Sequence, residues 1–330
     1  MCVIGPQRLK PPKSAANCGM AEAMPLRHAR TGLAAASRLP AVVAIVGPTA
    51  SGKSQLAIVV AKRFGGEVLN CDSLQMYRYF DLGTAKLAPA EREAVPHHFL
   101  DVLNPDQQFA AGEYMRQARA VLAEVSARGH LPIVVGGTGF YLRALVDGLF
   151  VGPGRSAELR QRLARRAEEK GAAYLHRLLQ RMDAATARQI HPNDLPKLIR
   201  AIEVCLLARR PASDLYRQGR AKLEGYCVLK VGLNPPRAAL YEKINQRTRQ
   251  LFERGLVQEV QSILDRGYPA TVPPLGAHGY RQALDFLGGR ISLEEAIYHA
   301  QTRTRQYAKR QMTWFRREKR ILWLDFSARN

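Results

Sequence analysis

The chain has 330 residues, 46% of them hydrophobic, which is enough for one large domain or two modest ones with a sizeable core. Its 50 Lys and Arg outnumber its 28 Asp and Glu, giving a formal net charge of +22. The usual partner of such a chain is a polyanion such as nucleic acid, although a proteome that favours Arg also explains the charge.

No apolar run approaches the roughly 20 residues of a membrane span. The five cysteines form no C-x-x-C pair, which argues against a disulfide framework and a zinc ribbon. We therefore expect a cytoplasmic protein that contacts no membrane.

Residues 1–40 differ in composition from the rest of the chain. They are rich in Ala, Pro and Arg, contain one acidic residue, Glu22, and show no hydrophobic periodicity. An Arg-rich, acid-poor start also occurs in transit peptides. Because such a segment cannot bury enough apolar surface to order itself, we predict a disordered extension or a start codon assigned too early.

From residue 41 onward the pattern changes to strands alternating with helices. Short apolar runs typical of buried parallel strands occupy Ala41–Gly47, Gly66–Asp72 and Leu131–Gly137, and Ala111–Arg128 has helical spacing. This alternation predicts an α/β fold with a parallel sheet flanked by helices.

Residues 153–226 contain no clear strand. Helical spacing recurs in Ser156–Gly171 and Leu195–Arg210, whereas Val228–Leu233 again has the pattern of a strand. We therefore predict an all-helical insertion domain of residues 153–226 within a core domain formed by residues 41–152 and 227–330. Two long helices are expected near residues 237–266 and 292–316, the second opened by a capping box from Ser292 to Glu295.

The strongest motif is GPTASGKS, which lies between a predicted strand and a predicted helix. This is the context of a phosphate-binding loop, in which glycines let backbone amides approach a phosphate and the helix N-terminus adds partial positive charge. Lys53 would supply a point charge to the terminal phosphate, and Ser54 can hold Mg²⁺, the expected cofactor. The motif makes the predicted α/β fold P-loop NTPase-like. We predict a diphosphate or triphosphate site formed by Gly47, Pro48, Thr49, Ala50, Ser51, Gly52, Lys53 and Ser54.

Two strand ends bear on the chemistry at this loop. The run Gly136-Gly137-Thr138 lacks the Asp with which a kinase or ATPase usually binds Mg²⁺, which weakens an ATPase interpretation without excluding a kinase. Asp72 ends the second predicted strand and should face the same crevice, because ligands gather at the carboxyl ends of parallel strands. A Mg²⁺ ligand, a general base and a helix N-cap are open roles for it.

Together the motifs resemble the tRNA dimethylallyltransferase (isopentenyltransferase) family over about residues 41–325. The matching stretches after the GPTASGKS loop are Asp72–Lys86, Val95–Val102, Pro132–Leu145, His191–Val204, Leu240–Arg247 and Thr304–Arg316. The resemblance implies transfer of the dimethylallyl group of dimethylallyl diphosphate to the N6 amine of adenosine 37 of tRNA. It implies the tRNA anticodon stem-loop and dimethylallyl diphosphate as partners, and we expect a monomer.

The resemblance also assigns residue roles. Residues Thr49 to Ser54 would hold the diphosphate of the prenyl donor, Arg247 would reach the same group, and Asp72 would be the general base. Contacts with tRNA are implied for Asp72, Ser73, Leu74, Gln75, Thr138, Arg160, Pro196, Lys197, Leu198, Ile199, Arg200, Gly276, Ala277, His278, Gly279, Tyr280 and Arg281.

The chain departs from the family pattern at two places. The usual D-P-Q-R is here Asp194-Leu195-Pro196-Lys197, in which Lys197 keeps a charge but loses a bidentate fork. The usual I-G-Y or V-G-Y is here His278-Gly279-Tyr280. Both departures fall in stretches expected to contact tRNA, so they bear on that contact rather than on the chemistry.

Basic clusters fit an RNA partner. Arg160, Arg162, Arg165 and Arg166 lie on one predicted helix, and a second run comprises Arg303, Arg305, Lys309, Arg310, Arg316 and Arg317. Solvated helix faces are the alternative interpretation. We expect a structural role for His97 and His98, because no Cys or carboxylate stands at metal-ligand spacing from them. An adenylate isopentenyltransferase, a small-molecule kinase and an RNA-binding module remain alternative functions.

Overall fold

The computed structural model describes residues 39–325, so nearly all of the predicted N-terminal extension, residues 1–40, lies outside the described residues. The described residues form six strands: β1 (Ala41–Val46), β2 (Gly66–Asn70), β3 (His97–His98), β4 (Leu131–Gly136), β5 (Cys227–Asn234) and β6 (Ile321–Asp325). They pair in parallel in the order β3-β2-β4-β1-β5-β6. The predicted α/β fold with a parallel P-loop NTPase-like sheet is therefore confirmed.

Residues 39–325 also contain twelve α-helices. They are α1 (Lys53–Phe64), α2 (Ala111–Ala127), α3 (Gly139–Asp147), α4 (Ala157–Lys170), α5 (Ala172–Met182), α6 (Ala184–Ala187), α7 (Leu195–Ala208), α8 (Ala212–Arg217), α9 (Arg237–Glu253), α10 (Leu256–Asp265), α11 (Tyr280–Leu287) and α12 (Leu293–Phe315). No helix in this part of the chain has the length and apolar character needed to cross a membrane.

The central strand β1 shows why the sheet is covered on both sides. Successive side chains of a strand point to opposite faces. Val42, Ala44 and Val46 join the large hydrophobic cluster built with α2, α3 and α10–α12. Ile45 joins the cluster that α1 forms with the opposite face. The continuous apolar run from which β1 was predicted is typical of a strand buried on both faces.

The C-terminal half contains one wrong prediction. The single helix expected near residues 237–266 is two helices, α9 and α10, because Gly255 adopts a φ of +103° between them. A positive φ of this size interrupts helical hydrogen bonding and is accessible mainly to glycine. The capping box of α12 is confirmed: the Ser292 hydroxyl accepts the Glu295 N–H, and the Glu295 carboxylate accepts the Ser292 N–H at 2.8 Å.

Helices α4 to α8 pack around a hydrophobic cluster of their own. Leu175, Leu179, Leu198 and Ile202 are fully buried in it, and it is distinct from the clusters on either side of the sheet. The helical character predicted for this segment is thus present, with no strand among residues 153–226.

Candidate active site

A cavity of about 1000 Å³ opens at the carboxyl ends of β1, β2 and β4. This is the edge at which ligands bind in open parallel sheets. The predicted residues that line it are Thr49, Ala50, Ser51, Gly52, Lys53, Ser54, Asp72, Leu74, Gln75, Arg247 and His278. The fold therefore brings residues more than 200 positions apart in the sequence to one cavity.

Lys53 stands at the first position of α1, where the loop after β1 turns into the helix. Its Nζ donates a hydrogen bond of 2.6 Å to the Pro48 carbonyl, so the ammonium folds back over its own loop. Burial lowers the pKa of Lys53 to about 8, with the charge of Asp72 acting to raise it and that of Arg247 to lower it further. Binding an anion would offset that burial, because an opposite charge favours the ammonium form.

Arg247 reaches the same loop from α9. Its Nη2 donates to Thr49 Oγ1 at 3.2 Å. Burial lowers the pKa of Arg247, and the charge of Asp72 opposes that shift. Lys53, Arg247 and Asp72 thus lie together at the phosphate-binding loop, and the two cations favour an incoming anion there.

Asp72 follows β2 in a turn and caps no helix, since residues 71–79 contain no helix. Its Oδ1 accepts the Leu74 N–H at 3.0 Å, and its own N–H donates to Asn70 Oδ1 at 3.0 Å. The helix N-cap considered for Asp72 is therefore wrong; the carboxylate holds a local turn instead, as Asp often does. The other oxygen, Oδ2, accepts no hydrogen bond from another group within residues 39–325. A group bound in the cavity can therefore donate a hydrogen bond to it.

Thr138 does not line the cavity but fixes a residue of the Asp72 turn. Its Oγ1 accepts the Ser73 N–H at 3.1 Å, and its own N–H donates to the Cys71 carbonyl at 3.2 Å. The end of β4 therefore holds the two residues that flank Asp72 in the sequence.

Gln311 of α12 is a site residue that sequence reasoning did not single out, although it lies in a stretch that matches the family. It is 5% exposed. Its Oε1 accepts the Thr49 N–H at 2.8 Å, and its Nε2 donates to the Gly137 carbonyl at 3.0 Å. Its place in that matching stretch was the signal available in the sequence, and it does not identify the partners.

His278 and Tyr307 form an aromatic part of the cavity wall, with ring centroids 4.6 Å apart. Burial lowers the pKa of His278 to about 4, and the charges of Arg310 and Arg247 lower it further. Burial also raises the pKa of Tyr307, and the charge of Asp72 adds to that rise. Both side chains are therefore neutral near pH 7.

Two of the residues predicted to contact tRNA, Arg160 and Arg200, bind a buried carboxylate in the helical segment. Glu203 is fully buried and accepts Arg160 Nε at 3.0 Å and Arg200 Nη1 at 2.7 Å. Burial acts to raise the pKa of Glu203, but these hydrogen bonds hold it below its ordinary value. Arg160 and Arg200 thus already have protein partners. Pro196 and Lys197 are exposed, whereas Leu198 and Ile199 are buried, so the last two cannot offer their side chains to RNA in this conformation.

The stretch Gly276–Arg281 is similarly divided. Gly276 and Arg281 are exposed, Ala277 and His278 are half-buried, and Gly279 is buried. Tyr280 is fully buried and donates to Glu259 Oε1 at 2.6 Å. The same carboxylate accepts the Leu82 N–H at 2.7 Å, so Tyr280 fixes the cavity wall through Glu259 rather than offering its ring to a ligand.

The two adjacent histidines of β3 bond within the protein. His98 Nε2 lies 2.7 Å from Glu67 Oε2, and His97 Nδ1 lies 2.8 Å from the Val95 carbonyl. Glu67 also accepts hydrogen bonds from Arg128 and His130. Across residues 39–325 no group of three or more His, Cys, Asp or Glu is arranged to hold a metal ion.

A strand, a phosphate-binding loop and a helix, with two cations and a carboxylate beside the loop, are the arrangement typical of a P-loop enzyme. The family model described as IPP transferase matches residues 75–318. The chain belongs to that family.

Individual relatives agree with this assignment. The chain is 55% identical over 286 residues to a tRNA dimethylallyltransferase of Solibacter usitatus, covering 86% of this chain and 93% of the relative. It is 56% identical to one of Koribacter versatilis, over 86% and 92% of the two chains.

Solved structures are similar as well. A tRNA isopentenylpyrophosphate transferase of Bacillus halodurans has a TM-score of 0.64 at 37% identity, over 86% of this chain and 89% of that one. A eukaryotic dimethylallyltransferase acting on tRNA has a TM-score of 0.76 at 27% identity, over 87% and 74% of the two chains.

Proposed function

We propose that the chain transfers the dimethylallyl group of dimethylallyl diphosphate to the N6 amine of the adenosine 3′ to the anticodon of tRNA. The observation that carries the proposal is the meeting of Lys53, Arg247 and Asp72 at one cavity. The first two are cations for a leaving diphosphate, and the third is a base for an amine. The names of the relatives support the same reaction.

The reaction needs both kinds of group. The N6 lone pair of adenine is delocalised into the ring, so the amine is a weak nucleophile. As the bond from N6 to C1 of the donor forms, the bond from C1 to the diphosphate oxygen breaks and the diphosphate leaves with its electron pair. Lys53 and Arg247 would stabilise the charge that grows on the diphosphate, and Asp72 would accept the N6 proton.

Mg²⁺ fits this arrangement through oxygen ligands. Ser54 lines the cavity at the start of α1, next to the loop residues proposed to bind the diphosphate. Mg²⁺ is commonly held by one or two protein oxygens together with substrate phosphates and water. Bound there with the diphosphate, the ion would add positive charge against the leaving group.

The RNA would be gripped by exposed basic side chains. Arg162, Arg165 and Arg166 of α4 are exposed, as are Arg303, Lys309 and Arg310 of α12. Such phosphate contacts would offset the few kcal/mol needed to take the target base out of its stack. Arg160 would contribute less to RNA binding, because its guanidinium already binds Glu203.

The test is incubation with bulk tRNA and labelled dimethylallyl diphosphate, followed by digestion to nucleosides. Label in an N6-substituted adenosine is the expected result. Parallel reactions replace tRNA with AMP, or the donor with γ-labelled ATP. Prenyl transfer to AMP but not to tRNA would indicate an adenylate isopentenyltransferase, and phosphate transfer from ATP would indicate a kinase; either result would overturn the proposal.

A further inference from the structure

One buried side chain joins the two halves of the candidate site. The Thr49 N–H belongs to the phosphate-binding loop, and it donates to Gln311 Oε1 at 2.8 Å. The Gly137 carbonyl belongs to the loop after β4, and it accepts from Gln311 Nε2 at 3.0 Å. Gln311 therefore uses both ends of its amide, one on each loop.

Each of these loops controls one reacting group. Thr49 Oγ1 accepts Arg247, so the first loop carries the cations proposed for the diphosphate. Gly137 precedes Thr138, which binds Ser73 beside Asp72, so the second loop positions the proposed base. The distance between the leaving group and the base thus depends on the bridge between the loops.

The packing around the bridge leaves it little freedom. A Cβ on Gly137 would lie 2.0 Å from Gln311 Nε2, so the amide can approach this backbone only because residue 137 is glycine. The neighbouring helical turn contributes Tyr307, whose phenol lies beside the side chains of Gln311 and Thr138 and lines the same cavity. Gln311 is 5% exposed and forms part of the cavity wall.

We propose that Gln311 is a positioning residue that sets the separation of the diphosphate from Asp72 for prenyl transfer. The inference rests on the proposed function, because it assigns the two loops to the donor and the base. A displacement of about 1 Å between reacting groups can reduce a rate by roughly 10²-fold, so a bridge of this kind acts on the transfer step more than on binding.

The experiment compares Gln311→Met with wild type in single-turnover prenyl transfer at saturating tRNA and donor. Met keeps the length and much of the volume of Gln but can form neither hydrogen bond. The rate per folded molecule should fall about 10- to 100-fold, while affinity for inorganic diphosphate changes by less than about threefold. Gln261→Met is the control, because Gln261 is exposed on α10 and bonds only to Asp265 among residues 39–325.

Gln311→Glu provides a second readout and a safeguard if the Met variant folds poorly. The carboxylate can accept the Thr49 N–H but repels the Gly137 carbonyl, whereas the protonated form donates to it. Because this contact and burial favour the neutral acid, the ratio of variant to wild-type rate should rise as pH is lowered from 8 to 6.

Three results would overturn the inference. They are a Gln311→Met rate within threefold of wild type, a rate that falls only in proportion to diphosphate affinity, and a Gln311→Glu ratio that does not change with pH. Absence of transfer by wild type would instead remove the proposed function, so the two failures are distinguishable.

Discussion

Replacement of Asp72 by Asn separates the chemical role of its side chain from its structural one. Asp72 Oδ1 accepts the Leu74 N–H at 3.0 Å, and an Asn carbonyl oxygen can accept the same hydrogen bond. The turn should therefore persist, and the change removes only the charge and the proton acceptor. Loss of a general base costs about 10² to 10⁴ in rate, or roughly 3 to 5 kcal/mol of transition-state stabilisation.

The assay is single-turnover prenyl transfer by wild type, Asp72→Asn and Asp72→Ala, with tRNA affinity measured alongside. Both variants should bind tRNA within a few-fold of wild type. Both should transfer the prenyl group about 10² to 10⁴ times more slowly than wild type. Near-normal transfer by Asp72→Asn would refute the general-base assignment. Recovery of the lost activity with added Mg²⁺ would instead assign the carboxylate to the metal.

The Asp72→Asn substitution should also lower the pKa of Lys53. The charge of Asp72 acts to raise the pKa of Lys53, which burial lowers to about 8. Without that charge the pKa of Lys53 should fall further, so diphosphate binding by Asp72→Asn should weaken at a lower pH than in wild type. Low pH favours the charged form of Lys53 in both proteins, so the transfer assay is best run below pH 7.

Titration of wild type with inorganic diphosphate should show affinity falling as pH rises through about 8, by up to about tenfold per pH unit, because Lys53 loses its proton. Lys53→Arg should remove this dependence, and a persistent fall would assign it to another group. Changing Arg162, Arg165 and Arg166 together to Gln should lower the salt slope of tRNA binding by somewhat under one unit per lost phosphate contact; an unchanged slope would mean a solvated face. Burial acts to raise the pKa of Glu67, but its hydrogen bonds from His98, His130 and Arg128 lower it from 4.5 to about 2. The ionised Glu67 carboxylate therefore adds roughly 3 kcal/mol to the free energy of unfolding above pH 4.5, and this stabilisation is lost as pH falls toward 2. Urea unfolding should show Glu67→Gln less stable than wild type at pH 7 and nearly equal to it at pH 2, and an equal deficit at both would contradict this account.

Local pattern was sufficient for the elements that are buried on both faces. The strands predicted at Ala41–Gly47, Gly66–Asp72 and Leu131–Gly137 are present and end one or two residues earlier. The edge strands were not predicted, because β3 has only two residues and β6 is largely exposed and so is not a buried apolar run. Both form because a neighbouring strand supplies hydrogen-bonding partners.

The site was predictable only where a short motif or a family resemblance marked it. The phosphate-binding loop is contiguous, so its sequence and its flanking elements identified it. Gln311 lies 262 positions from Thr49, and no local pattern relates a helical glutamine to a distant backbone amide. The burial of Leu198 and Tyr280 was equally hidden, because neither helical spacing nor a motif shows what packs against a residue.

The position of Gln311 near the end of the chain affects how the protein matures during translation. At about 5–20 residues per second, the ribosome needs roughly 13 to 52 s to pass from Thr49 to Gln311. Throughout that interval the phosphate-binding loop exists without the amide that joins it to Gly137. Strand β6, which completes the sheet beside β5, is made later still. The nascent chain therefore acquires the complete candidate site only after α12 has left the ribosome, and chains that terminate before Gln311 lack the bridge.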